Sequence, residues 1–353
     1  MEFVQPKNST TVRIEESPVL ETPPPPPKAQ TPVDSWLKAD WRLAAVRSGM
    51  KALSRLSPSL AARAVDRLWF SAPRTHPNAE ARERLQAGTR LHHRVHGREV
   101  VAWSWGEGPT VLLVHGWGGH AGQLHAFVEP LLAAGYRVVA FDAPAHGASA
   151  PSRFGGKRVT FFEIAEAMRT VAADAGPLAG AIAHSGGCAV LALAMRQGWP
   201  APAKLAFVSP FAQPSTAFAP FGRSIGASDE AMERFVRRVE ARFQRPWSDF
   251  DITGLPGLRP VPPLLLVHDR GDREVAFAHS EAIARTWPDA RLVPTDGLGH
   301  RKLLRERRVV EQVAGFFGPA QKAASPAAMP GDARNELDRY FEGVFRAETG
   351  AAS

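Results

Sequence analysis

The sequence predicts an α/β fold in which a mostly parallel sheet has helices on both faces. From residue 91 onward, short continuous apolar runs alternate with segments of helical periodicity. Continuous apolar runs are typical of strands that are covered on both faces, whereas a half-exposed strand alternates apolar and polar residues. We interpret six runs as parallel strands: VLLVH at 111–115, YRVVAF at 136–141, LAGAIAH at 178–184, KLAFVS at 204–209, PLLLVH at 263–268 and ARLVP at 290–294.

Length and composition limit the class of protein. The chain has 353 residues, which predicts one or two domains of ordinary size. Hydrophobic residues make up 44% and charged residues 22%, close to the averages of globular proteins, so wholesale disorder and fibrous repeats are excluded. Cys188 is the single cysteine, so neither an intramolecular disulfide nor a cysteine zinc site is expected. The first ten residues lack the apolar run of a secretory signal, and we expect a cytoplasmic protein.

The positive charge of the chain is concentrated near its N-terminus. The formal net charge is +8. Residues 36–84 contain ten Lys or Arg and four Asp or Glu, which gives an excess of six positive charges. The remaining sequence is nearly neutral, so the basicity does not indicate nucleic-acid chemistry in the main domain. We therefore expect no nucleic-acid partner.

Two segments precede the predicted sheet. Residues 1–34 contain five consecutive prolines at 23–27, which favour an extended conformation, and we predict a disordered proline-rich tail. A ligand for a proline-binding module is the alternative. Residues 35–88 have a basic helical pattern that Ser57-Pro58 breaks into two helices. We expect the amphipathic residues 36–56 to dock on the main domain, with peripheral membrane contact or protein contact as alternatives.

Residues 89–318 are predicted to form the main domain, which contains the sheet. LHHRV and EVVAW, on either side of His96-Gly97-Arg98, indicate an antiparallel hairpin ahead of the parallel strands. Thr160 followed by Glu163 is typical of a capping box that opens a helix. A second helix is expected from Gly186 to Gln197, because Gly198 and Pro200 end it.

Two further segments interrupt or follow this pattern. About fifty residues separate the strand that ends at Ser209 from the next strand, far more than the usual loop of about two to six residues. We predict a helical lid at about 210–255, containing a helix capped by Ser228. The phenylalanines of this insert suggest an apolar acyl pocket or the packing of the lid: Phe211, Phe218, Phe221, Phe235 and Phe243. Residues 319–353 are predicted to form a linker and a short amphipathic helix.

The strongest indication of chemistry is AHSGG at 183–187, where an apolar strand ends and a helix begins. A serine in so sharp a turn is strained, and its hydroxyl is lifted clear of the sheet. The crowded positions two before and two after it accept only small residues, here Ala183 and Gly187. Ser185 is therefore the candidate nucleophile, in an AxSxG pattern that departs by one methyl group from GxSxG.

A glycine-rich loop, HGWGG at 115–119, follows the first parallel strand. Glycines let the backbone N–H groups approach an oxyanion, and the loss of one such donor costs roughly 3–4 kcal/mol. We expect the N–H groups of Trp117 and Gly186 to form an oxyanion hole. A tight turn in which His115 makes structural hydrogen bonds is the alternative.

A serine nucleophile needs a histidine to accept its proton and a carboxylate to orient that histidine. Among the twelve histidines, His300 alone follows the final strand. Asp272 lies in the open loop after the preceding strand, and Asp269 at the end of that strand is the competing acid. We favour Asp272, and we expect Asp142 and His146 to brace the loops. Cys188 is expected to pack as a small hydrophobic residue.

The segments HGWGG, DAPAHGAS, AHSGG, GDREV and GLGHR occur in an order that resembles the α/β-hydrolase family over about residues 90–318. The resemblance implies the α/β-hydrolase fold, with an eight-stranded, mostly parallel sheet, helices on both faces and a lid after the sixth strand. It also implies metal-free acyl transfer through a serine acyl-enzyme. Ala183 resembles a variant of this turn that is seen in some lipases.

We expect a serine hydrolase that acts on a small-molecule carboxylic ester or related acyl substrate. Ser185 is its expected nucleophile, His300 its base and Asp272 the acid that orients His300, with no cofactor and no metal. Two alternatives remain open: an acyltransferase or cofactor-free haloperoxidase that uses the same triad, and a non-catalytic binding module on a hydrolase fold.

Overall fold

The structure is a computed structural model, which describes residues 13–14 and 41–320. Its sheet has the strand order β1-β9-β8-β7-β6-β4-β5-β3-β2. The strand bounds are Arg13–Ile14 (β1), Thr89–Val95 (β2), Arg98–Trp105 (β3), Thr110–Val114 (β4), Arg137–Phe141 (β5), Leu178–His184 (β6), Leu205–Val208 (β7), Leu264–Asp269 (β8) and Ala290–Thr295 (β9). β3 runs antiparallel to β2 and β5, and every other neighbouring pair is parallel.

This sheet confirms the predicted fold class. All six continuous apolar runs and both strands of the hairpin are present, with ends that differ by at most two residues from the predicted ones. The two-residue strand Arg13–Ile14 adds a ninth strand at the edge. It falls in the predicted proline-rich tail, the rest of which lies outside the described residues.

Helices follow most strands. Their bounds are Trp41–Leu56 (α1), Pro58–Trp69 (α2), Ala79–Gln86 (α3), Val128–Ala133 (α4), Phe161–Ala175 (α5), Gly186–Arg196 (α6), Phe218–Ile225 (α7), Asp229–Phe243 (α8), Ala278–Thr286 (α9), Gly299–Lys302 (α10) and Arg307–Phe317 (α11). Short 3-10 helices cover Ala121–Phe127, Pro214–Ala217, Trp247–Phe250 and Ile252–Gly254. No helix in the described part of the chain is both long and apolar enough to cross a membrane.

The sheet has a hydrophobic core on each face, which explains why its central parallel strands are mostly apolar. All five residues of β4 are buried. Leu112 and Val114 belong to the core that also contains residues of α5, α6 and α9. Val111 and Leu113 belong to the core shared with α4 and α11. Successive side chains of a strand point to opposite faces, so a strand between two helical layers needs apolar residues at every position.

Side chains cap three helices, two of them at the predicted positions Thr160 and Ser228 and one at Ser57, where the sequence predicts only a break between helices. Ser57 Oγ accepts a hydrogen bond from Leu60 N at 3.3 Å, and Ser228 Oγ accepts one from Ala231 N at 3.2 Å. Thr160 Oγ1 accepts from Glu163 N at 3.2 Å. The Glu163 carboxylate does not return to the cap, because it accepts from Ser152 Oγ at 2.6 Å and so holds the preceding loop. The capping box is therefore only half formed.

A third hydrophobic cluster lies apart from the two cores of the sheet. It joins α1 and α2 to α7 and α8 and to the 3-10 helix Trp247–Phe250. We call these elements the cap. Its insert portion lies between β7 and β8, where the sequence predicts a lid, and its other portion comes from the predicted N-terminal helical segment. The helix that is predicted within residues 319–353 lies outside the described residues.

Candidate active site

Ser185 occupies a strained turn between β6 and α6. Its backbone has φ 53° and ψ −122°, a region that non-glycine residues rarely adopt. The turn is held by a hydrogen bond from Ser185 N to Val208 O at 3.0 Å. A Cβ at Gly187 would lie 2.5 Å from the His115 backbone oxygen, and Ala183 is fully buried. The crowding expected from the AxSxG pattern is therefore present on both sides of the serine.

Asp272 and His300 are in direct contact. His300 Nδ1 donates a hydrogen bond to Asp272 Oδ2 at 2.7 Å, and both side chains are buried. The proton on Nδ1 leaves Nε2 of a neutral His300 ring as a proton acceptor. The loops after β8 and β9 thus bring together two of the predicted site residues, which are 28 positions apart in sequence.

The surroundings of Asp272 keep its carboxylate charged. Oδ1 accepts hydrogen bonds from Glu274 N at 2.8 Å and Val275 N at 2.9 Å. His268 Nε2 lies 3.3 Å from Oδ2, beside the bond from His300. Burial acts to raise the pKa of Asp272, but the hydrogen bonds from His268, His300 and the backbone outweigh it and hold the pKa well below its ordinary value.

The competing acid, Asp269, has a different set of partners. Its Oδ1 accepts from Gly271 N at 2.9 Å. Its Oδ2 accepts from Thr295 Oγ1 and Leu298 N, both at 2.9 Å. These bonds tie the end of β8 to the loop after β9. Asp269 therefore fixes the loop that carries the histidine, and Asp272 is the acid that meets the histidine ring.

His184, the residue directly before Ser185, contacts His300. His184 Nε2 donates to the His300 backbone oxygen at 3.0 Å, and the centroids of the two imidazole rings are 4.7 Å apart. Among the described residues, no hydrogen bond joins the Ser185 hydroxyl to the His300 ring. Such bonds are often long in the absence of substrate and tighten when it binds.

The HGWGG loop lies beside this turn. A Cβ at Gly116 would lie 2.9 Å from Ser185 Cβ, and a Cβ at Gly186 would lie 3.4 Å from Trp117 N. Within residues 41–320, the N–H groups of Trp117 and Gly186 have no hydrogen-bond acceptor. Two neighbouring free donors beside a serine hydroxyl could stabilise a developing oxyanion.

Buried histidines hold this loop in place. His115 Nε2 accepts from Ala143 N, and His146 Nε2 accepts from Gly118 N, both at 3.0 Å. Burial lowers the pKa of His115 to about 4 and that of His146 to about 3, so both rings are neutral and can accept at Nε2. Asp142 accepts from Ala121 N and Ala148 N, both at 2.6 Å. Asp142 and His146 brace the loops, as the sequence predicts.

A cavity of about 400 Å³ opens beside the serine. Ser185, Gly186 and Trp117 form part of its wall, and most of the rest is aromatic or aliphatic. Phe211, Phe221 and Phe243 of the insert line it. Phe235 is buried inside the cap, and Phe218 packs against Trp69 and Trp247 there. Three of the five predicted phenylalanines therefore reach the cavity, and the other two pack the cap.

Sequence reasoning missed several residues of this cavity. Trp69 and Phe70 at the end of α2 line it, although nothing in their helical pattern indicates a binding site. His279 also lines it, with Nδ1 accepting from Ala212 N at 3.1 Å.

Cys188 is buried and donates through Sγ to Ala183 O at 3.2 Å, and burial raises its pKa well above the ordinary value. It packs as expected.

No group of three or more His, Cys, Asp or Glu side chains among the described residues is arranged to hold a metal ion. The turn of Ser185 adjoins the N–H groups of Trp117 and Gly186, and His184 links this turn to the hydrogen-bonded pair of His300 and Asp272. The arrangement can therefore supply a hydroxyl, an imidazole base, an anionic partner for that base and two backbone donors. These are the groups that acyl transfer requires.

Comparisons with known proteins agree with this architecture. The structure is similar to a candidate lipase from Acinetobacter baumannii, with 17% identity, coverage of 67% of this chain and 93% of that chain, and a TM-score of 0.52. It is also similar to an esterase from Pyrococcus furiosus, with 20% identity, coverage of 70% and 96%, and a TM-score of 0.52. At these identities the likeness shows the fold alone. A search of the curated proteins finds no match.

A family model gives the assignment. The model described as the alpha/beta hydrolase family matches residues 111–313, more than half of the chain. The matched region runs from β4 to α11, so it contains the turn at Ser185 and the loops that carry Asp272 and His300. The chain belongs to the α/β-hydrolase family.

Proposed function

We propose that the protein is a serine hydrolase that cleaves a carboxylic ester or related acyl bond through an acyl-enzyme intermediate. The observation that supports this most is the 2.7 Å hydrogen bond from His300 Nδ1 to Asp272 Oδ2. It fixes the orientation of the proposed base, and His300 contacts the residue directly before Ser185. The strained turn of Ser185 forms part of the wall of an apolar cavity.

In the proposed reaction the Ser185 hydroxyl attacks the carbonyl carbon of the substrate, and His300 Nε2 takes the hydroxyl proton. Asp272 stabilises the imidazolium that forms, and the N–H groups of Trp117 and Gly186 bind the oxyanion. When the tetrahedral intermediate collapses, His300 donates its proton to the leaving alcohol. Water then attacks the acyl-enzyme with His300 as base, which releases the acid and restores the serine. No cofactor takes part in these steps.

The decisive experiment compares two serines that line the same cavity. The Ser185→Ala protein is expected to lose labelling by a fluorophosphonate probe and to lose turnover of nitrophenyl esters by a factor on the order of 10⁶. Ser71 is the matched control, because it lines the same cavity but its hydroxyl donates to Arg67 O at 2.6 Å. The Ser71→Ala protein should be labelled at Ser185 like the parent.

Two results would contradict the proposal. One is equal ester hydrolysis by the parent and the Ser185→Ala protein. The other is a parent that is folded but neither labelled nor active on any ester, as expected of a binding module. Product analysis with an added alcohol then separates hydrolysis from acyl transfer, because a transferase would form the new ester in preference to the acid.

A further inference from the structure

Part of the cavity wall comes from a segment that precedes the sheet. Leu68, Trp69, Phe70, Ser71 and Pro73 line the same cavity as Ser185. They lie outside the region that matches the family model, which begins at residue 111. The cavity is therefore not completed by the hydrolase domain and its insert alone.

Backbone hydrogen bonds fix this segment next to another part of the wall. Val159 N donates to Phe70 O at 2.8 Å, and Ala72 N donates to Lys157 O at 2.9 Å. The chain continues directly from Val159 into Thr160, Phe161 and Phe162, which also line the cavity. Pro73 packs on the glycine-rich loop, since a Cβ at Gly118 would lie 2.6 Å from its Cγ. The segment is thus held against the site over several residues.

A buried ion pair attaches α2 to the insert. Both oxygens of Asp66 accept hydrogen bonds from the guanidinium of Arg242, each at 2.9 Å. The two side chains are only 7% and 11% exposed. The Arg242 guanidinium also lies 4.9 Å from the centroid of the Phe70 ring. A bidentate pair with such low exposure fixes the orientation of the two helices.

Trp69 is the residue at which α2, the insert and the cavity meet. It is the last residue of α2. Its ring centroid lies 5.1 Å from those of Phe218 and Phe221 and 6.1 Å from that of Trp247. Phe221 and Trp247 line the cavity together with it. A large indole in this position limits the space available on the cap side of the cavity.

The charges of the wall indicate what kind of group can fill that space. Among the described residues that line the cavity, Glu274 is the one acidic side chain, and none is Lys or Arg. Glu274 accepts a hydrogen bond from Arg301 at 2.8 Å. His279 is neutral, because burial lowers its pKa to about 4. The wall offers no cation for a carboxylate or phosphate group, so an uncharged apolar group is favoured.

We infer that the segment at the end of α2 selects the substrate, and that Trp69 limits the length of the uncharged apolar acyl group that this cavity accepts. The inference rests on the proposed serine hydrolase function. Replacing the indole by a smaller side chain lengthens the space for the acyl group. It should therefore shift the preference of the enzyme toward longer acyl chains without removing its nucleophile.

The test uses the full chain and a series of nitrophenyl esters from acetate through butyrate and octanoate to dodecanoate. In the Trp69→Ala protein, the ratio of kcat/KM for the longest good substrate to that for butyrate should rise by roughly tenfold or more, the effect of one methylene or more in an apolar pocket. Trp69→Phe keeps an aromatic ring in the cap and should give a smaller shift in the same direction. Leu60, also on α2, is 50% exposed, and Leu60→Ala should leave the ratio unchanged.

The outcomes separate the inference from the function on which it rests. Labelling by a short-chain fluorophosphonate reports Ser185 independently of acyl length. If both Trp69 variants are labelled at the parental rate and keep the parental ratio, the inference is wrong while the function stands. An equal fall in kcat/KM for all esters would also contradict the inference, because a loosened cap would lower kcat/KM for every ester alike. If the parent itself is neither labelled nor active, the function fails instead.

Discussion

Two aspartates that are three residues apart show how environment separates their roles. Asp269 and Asp272 are both buried near the end of β8. Asp269 is surrounded by backbone and hydroxyl donors, so it stabilises the loops. Asp272 receives its hydrogen bonds from two histidine rings as well as from the backbone. The difference lies in which loop each carboxylate faces, and that is a tertiary property.

This difference leads to a prediction for the matched substitutions Asp272→Asn and Asp269→Asn. Asn at 272 cannot hold the His300 tautomer or stabilise the imidazolium, so kcat should fall by a factor on the order of 10⁴. Asn at 269 should keep most of the turnover. It should lower the free energy of unfolding by about 1–3 kcal/mol, because its NH₂ group faces a donor that needs an acceptor.

The measurements are kcat on a nitrophenyl ester and unfolding in urea, made on both proteins. A larger loss of kcat in the Asp269 variant than in the Asp272 variant would transfer the role to Asp269. Equal and small losses in both would show that neither carboxylate acts through His300. Circular dichroism of the two folded proteins at the assay temperature guards against loss of structure as the explanation.

At the scale of elements, the cap is built from two segments that are far apart in the chain. α2 and α8 are joined by the ion pair between Asp66 and Arg242, and Arg158 Nη2 lies 3.7 Å from the same carboxylate. The buried acid of the N-terminal segment is therefore paired with arginines from two other parts of the chain. The aromatic residues of the cap then fill the space between the helices and the cavity.

The buried pair predicts a large effect on stability. Asp66→Ala removes the carboxylate and leaves the Arg242 guanidinium buried without this partner. The substitution should lower the free energy of unfolding by about 3–5 kcal/mol. Glu230→Gln on α8 removes an ion pair with Arg234 in which the side chains are 54% and 44% exposed, and it should cost only about 0.3–0.5 kcal/mol. Urea unfolding of the two variants measures the difference. Similar values for both would show that Asp66 does not hold the cap together.

The parallel strands of the sheet could be predicted from the sequence because most of their residues are apolar and pack into a hydrophobic core on one face or the other. The helices after Thr160 and Ser228 could be predicted because their caps are local. The contribution of Trp69 to the cavity could not, since it depends on contacts with residues of the insert that lie about 150 positions later. The spacing of apolar residues along the chain does not indicate such a contact.

Some of the site residues could likewise be predicted from the sequence, and others could not. Ser185, Asp272 and His300 could be selected because each follows a strand of the sheet, and the carboxyl ends of parallel strands meet at one edge. The sequence left Asp269 as a competitor, because both aspartates follow the same strand and only the fold of the loops shows which one faces His300. His184 and His268 were not selected, since a histidine within an apolar run gives no sign of its hydrogen-bond partners.

At the scale of the whole molecule, several histidines are buried in their neutral form. Burial lowers the pKa of His115 and His279 to about 4 and that of His146 to about 3. In the unfolded chain these side chains titrate near their ordinary value of about 6.5. Between those values the unfolded chain binds protons that the folded chain does not, so acidification favours unfolding.

The resulting prediction is that the free energy of unfolding decreases as the pH falls from 7 to 5, by up to about 1.4 kcal/mol per pH unit for each such histidine. Asp251 acts in the opposite direction below pH 6, because burial raises its pKa to about 6, and burial also raises the pKa values of Asp142 and Glu163. These three acids are outnumbered by the six histidines whose pKa burial lowers: His115, His120, His125, His146, His184 and His279. Gln at 279 can accept hydrogen bonds from the Ala212 and Gln213 N–H groups without titrating. His279→Gln should therefore reduce the slope of the unfolding free energy against pH by the contribution of one histidine.

Urea unfolding of the parent and the variant at half-unit steps of pH measures both slopes. A parent whose stability stays constant or rises over this range would show that these rings are protonated in the folded protein, and neutral His115 and His146 could then not hold the glycine-rich loop as acceptors.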